Sequence, residues 1–276
     1  MKFVKQLSKG VSDYGPALRF IFEHKLAWFF LVPIALNILL FIGGFAFVSE
    51  LSNIIQSKIL DFSHLENAHF WGAEVLTWIL AASIWLATKL LFFFLFAYAG
   101  GYIVLIFMSP ILAYLSEKTE RILTGHTYPF DIQQLMRDVV RGILIALRNL
   151  FLELLIILAV FIVSLFPLIG WLISIISPIF LVVVAAYFYG FSFTDYVNER
   201  QKLSVKESVS FMKHNKGTIT GNGLPFAIIL LIPIVGLLLS GFMAIIAVVA
   251  SVISVKDLTP LNSNKTNTIL DSYEKD

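Results

Sequence analysis

Four long stretches with almost no charge decide what this chain can be. Residues 26–48 give 23 uncharged positions, 75–108 give 34 interrupted only by Lys89, and 154–194 and 218–255 give 41 and 38 with none. A helix rises 1.5 Å per residue, so about 20 apolar residues cross the ~30 Å hydrocarbon core of a bilayer. Each stretch meets that length. Composition agrees, because 58% of the chain is hydrophobic and 14% charged, against roughly 25% charged in globular domains. These figures exclude a disordered chain, a nucleic-acid binder and an ordinary cytosolic enzyme, and they make the lipid bilayer the expected partner. A signal peptide accounts poorly for 26–48, since the run is too long and no small-residue cleavage pattern follows it.

The two longest stretches exceed one span and share a device at their centres. One reads Leu165-Phe166-Pro167-Leu168-Ile169-Gly170, the other Leu231-Ile232-Pro233-Ile234-Val235-Gly236. Proline ends the preceding helix, and the glycine three positions on can take the positive φ of a tight reversal. Each stretch is therefore expected to fold back as a helical hairpin. The inbound arms, 154–166 and 220–232, hold 13 residues each, or roughly 20 Å of helix. Either the hairpins dip into the bilayer and return, or their polar flanks lengthen the arms to give six crossings. The expected fold class is an all-α integral membrane protein, with two long transmembrane helices plus two helical hairpins, partly inserted or fully spanning. It forms a single domain over 1–255, with a polar, disordered tail at 256–276.

Orientation follows from the basic residues. Between the first two stretches Lys58 faces Glu50, Asp61, Glu66 and Glu74, whereas the N-terminal segment, 118–148 and 200–216 are rich in Lys and Arg. The positive-inside rule turns 49–74 outward and places the other segments, and both termini, in the cytoplasm.

The polar segments hold the candidate functional residues. Residues 109–125 read as a separate amphipathic helix with Ser109 as N-cap, Pro110 at the first position and Gly125 as the stop. Glu117, Lys118, Glu120 and Arg121 make its solvated face. A second helix over 131–148 puts Arg137, Arg141 and Arg148 near one face, which suits anionic lipid headgroups or an anionic solute in a vestibule. Lys89, mid-run, is the best single candidate for a charge in a pathway, with structural pairing to Asp195, Glu199 or Glu153 as the alternative. Gly221-Asn222-Gly223 reads as a helix-opening loop. There is no phosphate-binding loop, no nucleophile elbow, no His-Glu-x-x-His and no cysteine, so no catalytic residue, metal or cofactor is expected.

Several segments, taken in order, carry a family resemblance. They are Val32-Pro33-Ile34-Ala35-Leu36-Asn37; Ser109-Pro110 with Glu117, Arg121, Leu123, Thr124 and Gly125; Phe166-Pro167-Leu168-Ile169-Gly170; Asp195-Tyr196 followed by Lys206-Glu207; and Gly223 before Ile232-Pro233. The chain resembles the CysZ-type sulfate permease family over most of its length. The resemblance implies a helical sulfate permease of the bacterial inner membrane, often a homo-oligomer, with a small anion as ligand. It also implies an anion site at a Gly-Leu/Ile-Arg-Arg sequence before the first span, where helix-start N–H groups and two guanidinium forks hold an oxyanion. Alignment through Pro33 and Asn37 puts Lys25-Leu26-Ala27-Trp28 there. Both arginines are absent, and Lys25 with His24 supplies charge without a bidentate fork. Arg19, His24, Lys25, Arg137 and Arg141 are then the expected anion contacts and Lys89 the pathway charge. The rival reading is a structural or regulatory membrane protein that keeps the scaffold and transports nothing.

Overall fold

The computed structural model describes residues 2–63, 73–125, 132–166, 169–201, 203–232 and 235–258. Among them no strand occurs. The elements are α1 (Lys2–Ser12), α2 (Tyr14–Glu23), a 3-10 turn (Ala27–Phe30), α3 (Leu31–Ser63), α4 (Ala73–Thr124), α5 (Ile132–Ser164), α6 (Ile169–Arg200), α7 (Val205–His214), α8 (Lys216–Leu230) and α9 (Val235–Leu258). Among the described residues four stretches are long and apolar enough to cross a membrane: Tyr102–Thr124, Ile132–Ser164, Ile175–Arg200 and Leu238–Leu258. A bent pair, Lys2–Glu23 with Ala27–Leu39, adds a fifth if it counts as one span. The protein is an all-α membrane protein.

Two compact units emerge, Ile34–Gly100 and the remainder, Met1–Pro33 with Gly101–Asp276. The smaller unit holds most of α3 and the first part of α4. Its helices expose Ile38, Ile42, Phe47, Trp78 and Trp85, side chains for which lipid is the natural solvent.

The larger unit is built on two antiparallel hairpins. In α5 and α6 the pairing runs in opposite directions: Arg141 bonds Asp195, while Asn149 Nδ2, two turns on, donates to Phe188 O (3.2 Å) and Ser192 Oγ (3.0 Å). In α8 and α9 Ser254 Oγ lies 3.1 Å from Asn222 Oδ1. Lipid tails supply no hydrophobic drive between helices, so close approach of small residues does the work. A methyl group on Gly217 or Gly221 of α8 would overlap the Phe3 and Leu7 carbonyls of α1, and one on Gly223 would overlap Ala186 O of α6. Thus α8 lies between α1 and α6 at backbone contact, and Gly221-Asn222-Gly223 is the middle of a helix rather than a loop that opens one. Ile145, Phe191, Val197, Met212, Ile219 and Val252 form a core among α5, α6, α7, α8 and α9.

Three local expectations change. The helix of 109–125 is not separate: α4 runs through Ser109 and Pro110 to Thr124, because Leu105, Met108, Leu112 and Leu115 on either side are all buried and that packing outweighs the ~3 kcal/mol cost of an interior proline. Likewise 131–148 and the first inbound arm are one continuous α5 of 33 residues. The hairpin glycines are not left-handed. Gly170 and Gly236 sit inside helices where a methyl group would overlap Ser164 O and Ile229 O of the facing arm, so the missing side chain, not φ, is what each turn requires. Gly125 does stop α4, at φ +74. Residues 64–72 of the segment expected to face outward, Pro167, Leu168, Pro233 and Ile234 of the expected reversals, and 259–276 of the tail lie outside the described residues; 256–258 are the last turn of α9.

Candidate functional site

The basic residues before the first span stand on a sharp bend. α2 closes with His24 N–H to Phe20 O (3.0 Å), Lys25 N–H to Phe22 O (3.2 Å) and Leu26 N–H to Ile21 O (2.8 Å). The last two bonds make a Schellman closure, and the apolar residues joined by the longer-range bond, Ile21 and Leu26, are both fully buried. Such a closure needs a left-handed residue, and here it is Lys25 at φ +56, alone among the described non-glycine residues. A residue with a Cβ is held there at a cost of about 1–2 kcal/mol. The resemblance puts Lys25 at the glycine of the implied motif, and the backbone is shaped for that glycine.

Past the bend the axis turns by 106°. Arg19, His24 and Lys25 are exposed along the outer edge of α2 and the turn. His24 stacks on Phe20 at 4.1 Å between ring centroids, and its Nδ1 donates to Phe20 O at 3.0 Å. That leaves Nε2 turned away from the helix. Ala27 and Trp28 follow, where the resemblance implies two arginines. Trp28 stacks on Phe29 (3.9 Å), Phe29 meets Tyr114 of α4 (5.9 Å), and Lys118, one helical turn beyond Tyr114, holds its ammonium 5.9 Å from the Trp28 ring. Lys118 is therefore a cation that the solvated-face reading of 109–125 missed. Its signal in the sequence is the Tyr114–Lys118 spacing of four, which puts an aromatic and a cation on one face.

The arginines of α5 belong to another part of the unit. α2 packs on α9 and α1, while α5 packs on α6. Arg141 forms a bidentate pair with Asp195 (2.9 and 3.1 Å), donates to Leu203 O (2.7 Å) and Ser208 Oγ (3.0 Å), and lies 3.8 Å from Glu199. All its forks are in use, and they tie residues 203–208 to the hairpin. Arg137 is exposed and donates to Gln134 Oε1 (2.8 Å). Arg148 is half-buried, with Asn149 Oδ1 at 3.2 Å and its guanidinium 5.4 Å from the Phe191 ring centroid. These three arginines, Glu199 and apolar side chains of α5 and α7 line a groove of about 610 Å³.

Other charges found partners that spacing could not reveal. Arg200 on α6 pairs with the buried Glu120 of α4 (2.5 Å) and donates to Ser116 (2.7 Å). Glu153 accepts from Tyr102 (2.6 Å). Lys89 lies in the smaller unit, its ammonium 5.7 Å from the Trp85 ring; Asp195 is bonded to Arg141 instead. No group of three His, Asp or Glu residues able to hold a metal occurs among the described residues. Against known proteins, a family model described as sulfate transporter CysZ/etoposide-induced protein 2.4 matches residues 14–240, from the start of α2 into the first turns of α9.

Proposed function

The chain belongs to the sulfate transporter CysZ/etoposide-induced protein 2.4 family, and from that premise we propose that it is a permease for a small oxyanion, with sulfate the first candidate. It works without a cofactor and without covalent chemistry, in a bacterial inner membrane with both termini in the cytoplasm, as a homo-oligomer. The observation that carries this reading is Lys25. An exposed cation held in a glycine conformation at the mouth of a 106° break is strain kept at a place where charge is wanted. Arg19, His24 and Lys25 gather positive potential at the bend and draw an anion to it, and Lys118 adds charge where the family's second arginine would stand. Without a guanidinium pair the contact is between point charges, so binding is weak and tolerant of anion shape.

The test is flux. The purified chain in liposomes is expected to take up labelled sulfate above empty vesicles, with Lys25→Ala lowering the initial rate severalfold. Ala27→Arg with Trp28→Arg is expected to restore a fork and lower the half-saturating sulfate concentration. Absence of uptake with either direction of gradient removes sulfate transport.

One observation favours the rival. Trp28 is packed on Phe29 beneath Lys118, an arrangement that fills the arginine position instead of leaving it open to a solute. A non-transporting structural or regulatory protein would co-purify with a membrane partner, and deletion of its gene would leave growth on limiting sulfate unchanged.

A further inference from the structure

We propose that the α5 groove is a binding site for an anionic phospholipid, with the lipid phosphate on Arg148. Arg148 borders the uncharged stretch that begins at 154, yet among the described residues its guanidinium meets the neutral Asn149 amide and the face of Phe191 and stands near Tyr187, with no carboxylate among them. A cation at membrane depth needs an anion, and here the described residues offer none within bonding distance. The carboxylates at the groove are committed elsewhere: Glu199, on its wall, lies 3.8 Å from the Arg141 guanidinium, and Asp195, behind it, is bonded bidentately to the same group. With Asp195 on Arg141, Glu199 beside it and Asp138 next to Arg137, three carboxylates stand among the three arginines, and Arg148 is the arginine that none of them meets.

The lining decides what kind of anion fits. Between the end arginines the groove is walled by Val140, Leu144 and Ile145. Beyond Arg148 the same face of α5 continues through Phe151, Leu155 and Leu158, all exposed and spaced three and four apart, as one helical face requires. A free inorganic anion would lose water against those apolar walls and gain one guanidinium. A phospholipid brings its own apolar surface, placing acyl chain on the exposed stripe and phosphate at its upper end, where Arg supplies a bidentate fork. Arg137, eleven residues earlier and so about 16 Å away along the axis, attracts the headgroup from the aqueous rim.

Native mass spectrometry of the full chain in detergent, titrated with phosphatidylglycerol, phosphatidylcholine or inorganic phosphate, tests this. The expected result is retention of phosphatidylglycerol at least fivefold above phosphatidylcholine, a loss of that preference in Arg148→Ala, partial retention in Arg148→Lys, and about a twofold loss in Arg137→Ala. Equal retention of the two lipids by the unaltered chain overturns the proposal, as does an Arg148→Ala variant that binds normally. Displacement of phosphatidylglycerol by millimolar phosphate would make the groove a free-anion site and overturn it equally. The comparison of lipids on the unaltered chain decides the matter even if Arg148→Ala fails to fold.

Discussion

Lys25 carries a side chain where the backbone is built for none. Lys25→Gly is expected to raise stability by about 1 kcal/mol, the left-handed cost of 1–2 kcal/mol less the greater chain entropy of glycine; Lys25→Ala keeps the strain and is expected to change stability by less than about 0.5 kcal/mol. Denaturation of both variants in detergent separates the backbone effect from the charge effect, which only the flux assay reads. A glycine variant no more stable than the unaltered chain would mean that the φ +56 backbone is unstrained. Arg141 has the opposite character, since its partners fix structure. Asp195→Asn leaves a partly buried guanidinium with only the longer Glu199 contact in place of its bidentate carboxylate and is expected to cost about 3 kcal/mol, whereas replacing Arg141 and Asp195 together by Met and Leu is expected to cost less, because the desolvated guanidinium goes with its main partner and only Glu199, the looser contact, is left behind. An equal loss in the single and double variants would show that packing, not charge, holds the pair. The two residues differ in how far sequence could reach them. The position of Lys25 follows from register with Pro33 and Asn37. The partner of Arg141 lies 54 residues away, and helical periodicity on α5 and α6 cannot say which faces meet.

At the scale of elements, glycine is used here more for contact than for turning. Gly43 in α3 has nothing within reach of an added methyl group, while Gly223 in α8 would strike the Ala186 backbone of α6. Gly43→Ala is therefore expected to stabilise by about 0.5–1 kcal/mol through helix propensity, and Gly223→Ala to destabilise by about 2 kcal/mol or more because two backbones must move apart. Thermal unfolding of the pair checks this, and equal midpoints would remove the case for backbone contact. α7 offers a pH test outside the spans. Its capping box has Glu207 Oε2 accepting from Ser204 N–H (2.6 Å) and Ser204 Oγ accepting from Glu207 N–H (3.3 Å), and these bonds hold the Glu207 carboxyl below its ordinary value. A lowered folded value means that the cap's contribution is complete above the unfolded value and disappears as pH falls through the folded one. Protection of the first-turn amides of α7 from hydrogen exchange is expected to fall across that acid range and to stay level in Glu207→Gln, which keeps the box without titrating. Element boundaries were legible where chemistry is local. Gly125 stops α4. Ser109-Pro110 looked like a helix start because its neighbours' burial, which keeps α4 intact, is a tertiary fact.

At the scale of the molecule, the two hairpins that share one sequence pattern are unequal. α5 has 33 residues and so reaches about 50 Å, and α6 with 32 nearly matches it; both contain a stretch fit to cross a bilayer. α8 has 15 residues, about 22 Å, and its first half from Gly217 to Gly223 is buried between α1 and α6. What remains of α8 for hydrocarbon is about two turns, too little for the ~30 Å core. The matching pattern Pro-x-x-Gly hid this difference, because the length of an arm depends on where its polar flank joins the helix, and α5 absorbs its flank while α8 is cut off from α7 at Asn215. The first hairpin is thus expected to span and the second to enter and return. Phe166 and Val235 are exposed residues beside the two turns, and the chain has no native cysteine, so Phe166→Cys and Val235→Cys report cleanly. A membrane-impermeant maleimide applied from outside is expected to label Cys introduced at 166 and to leave that at 235 protected from both sides. Labelling of both would establish two spanning hairpins, and protection of both would mean that even the 33 residues of α5 turn back within the bilayer, with much of their length lying along its cytoplasmic surface.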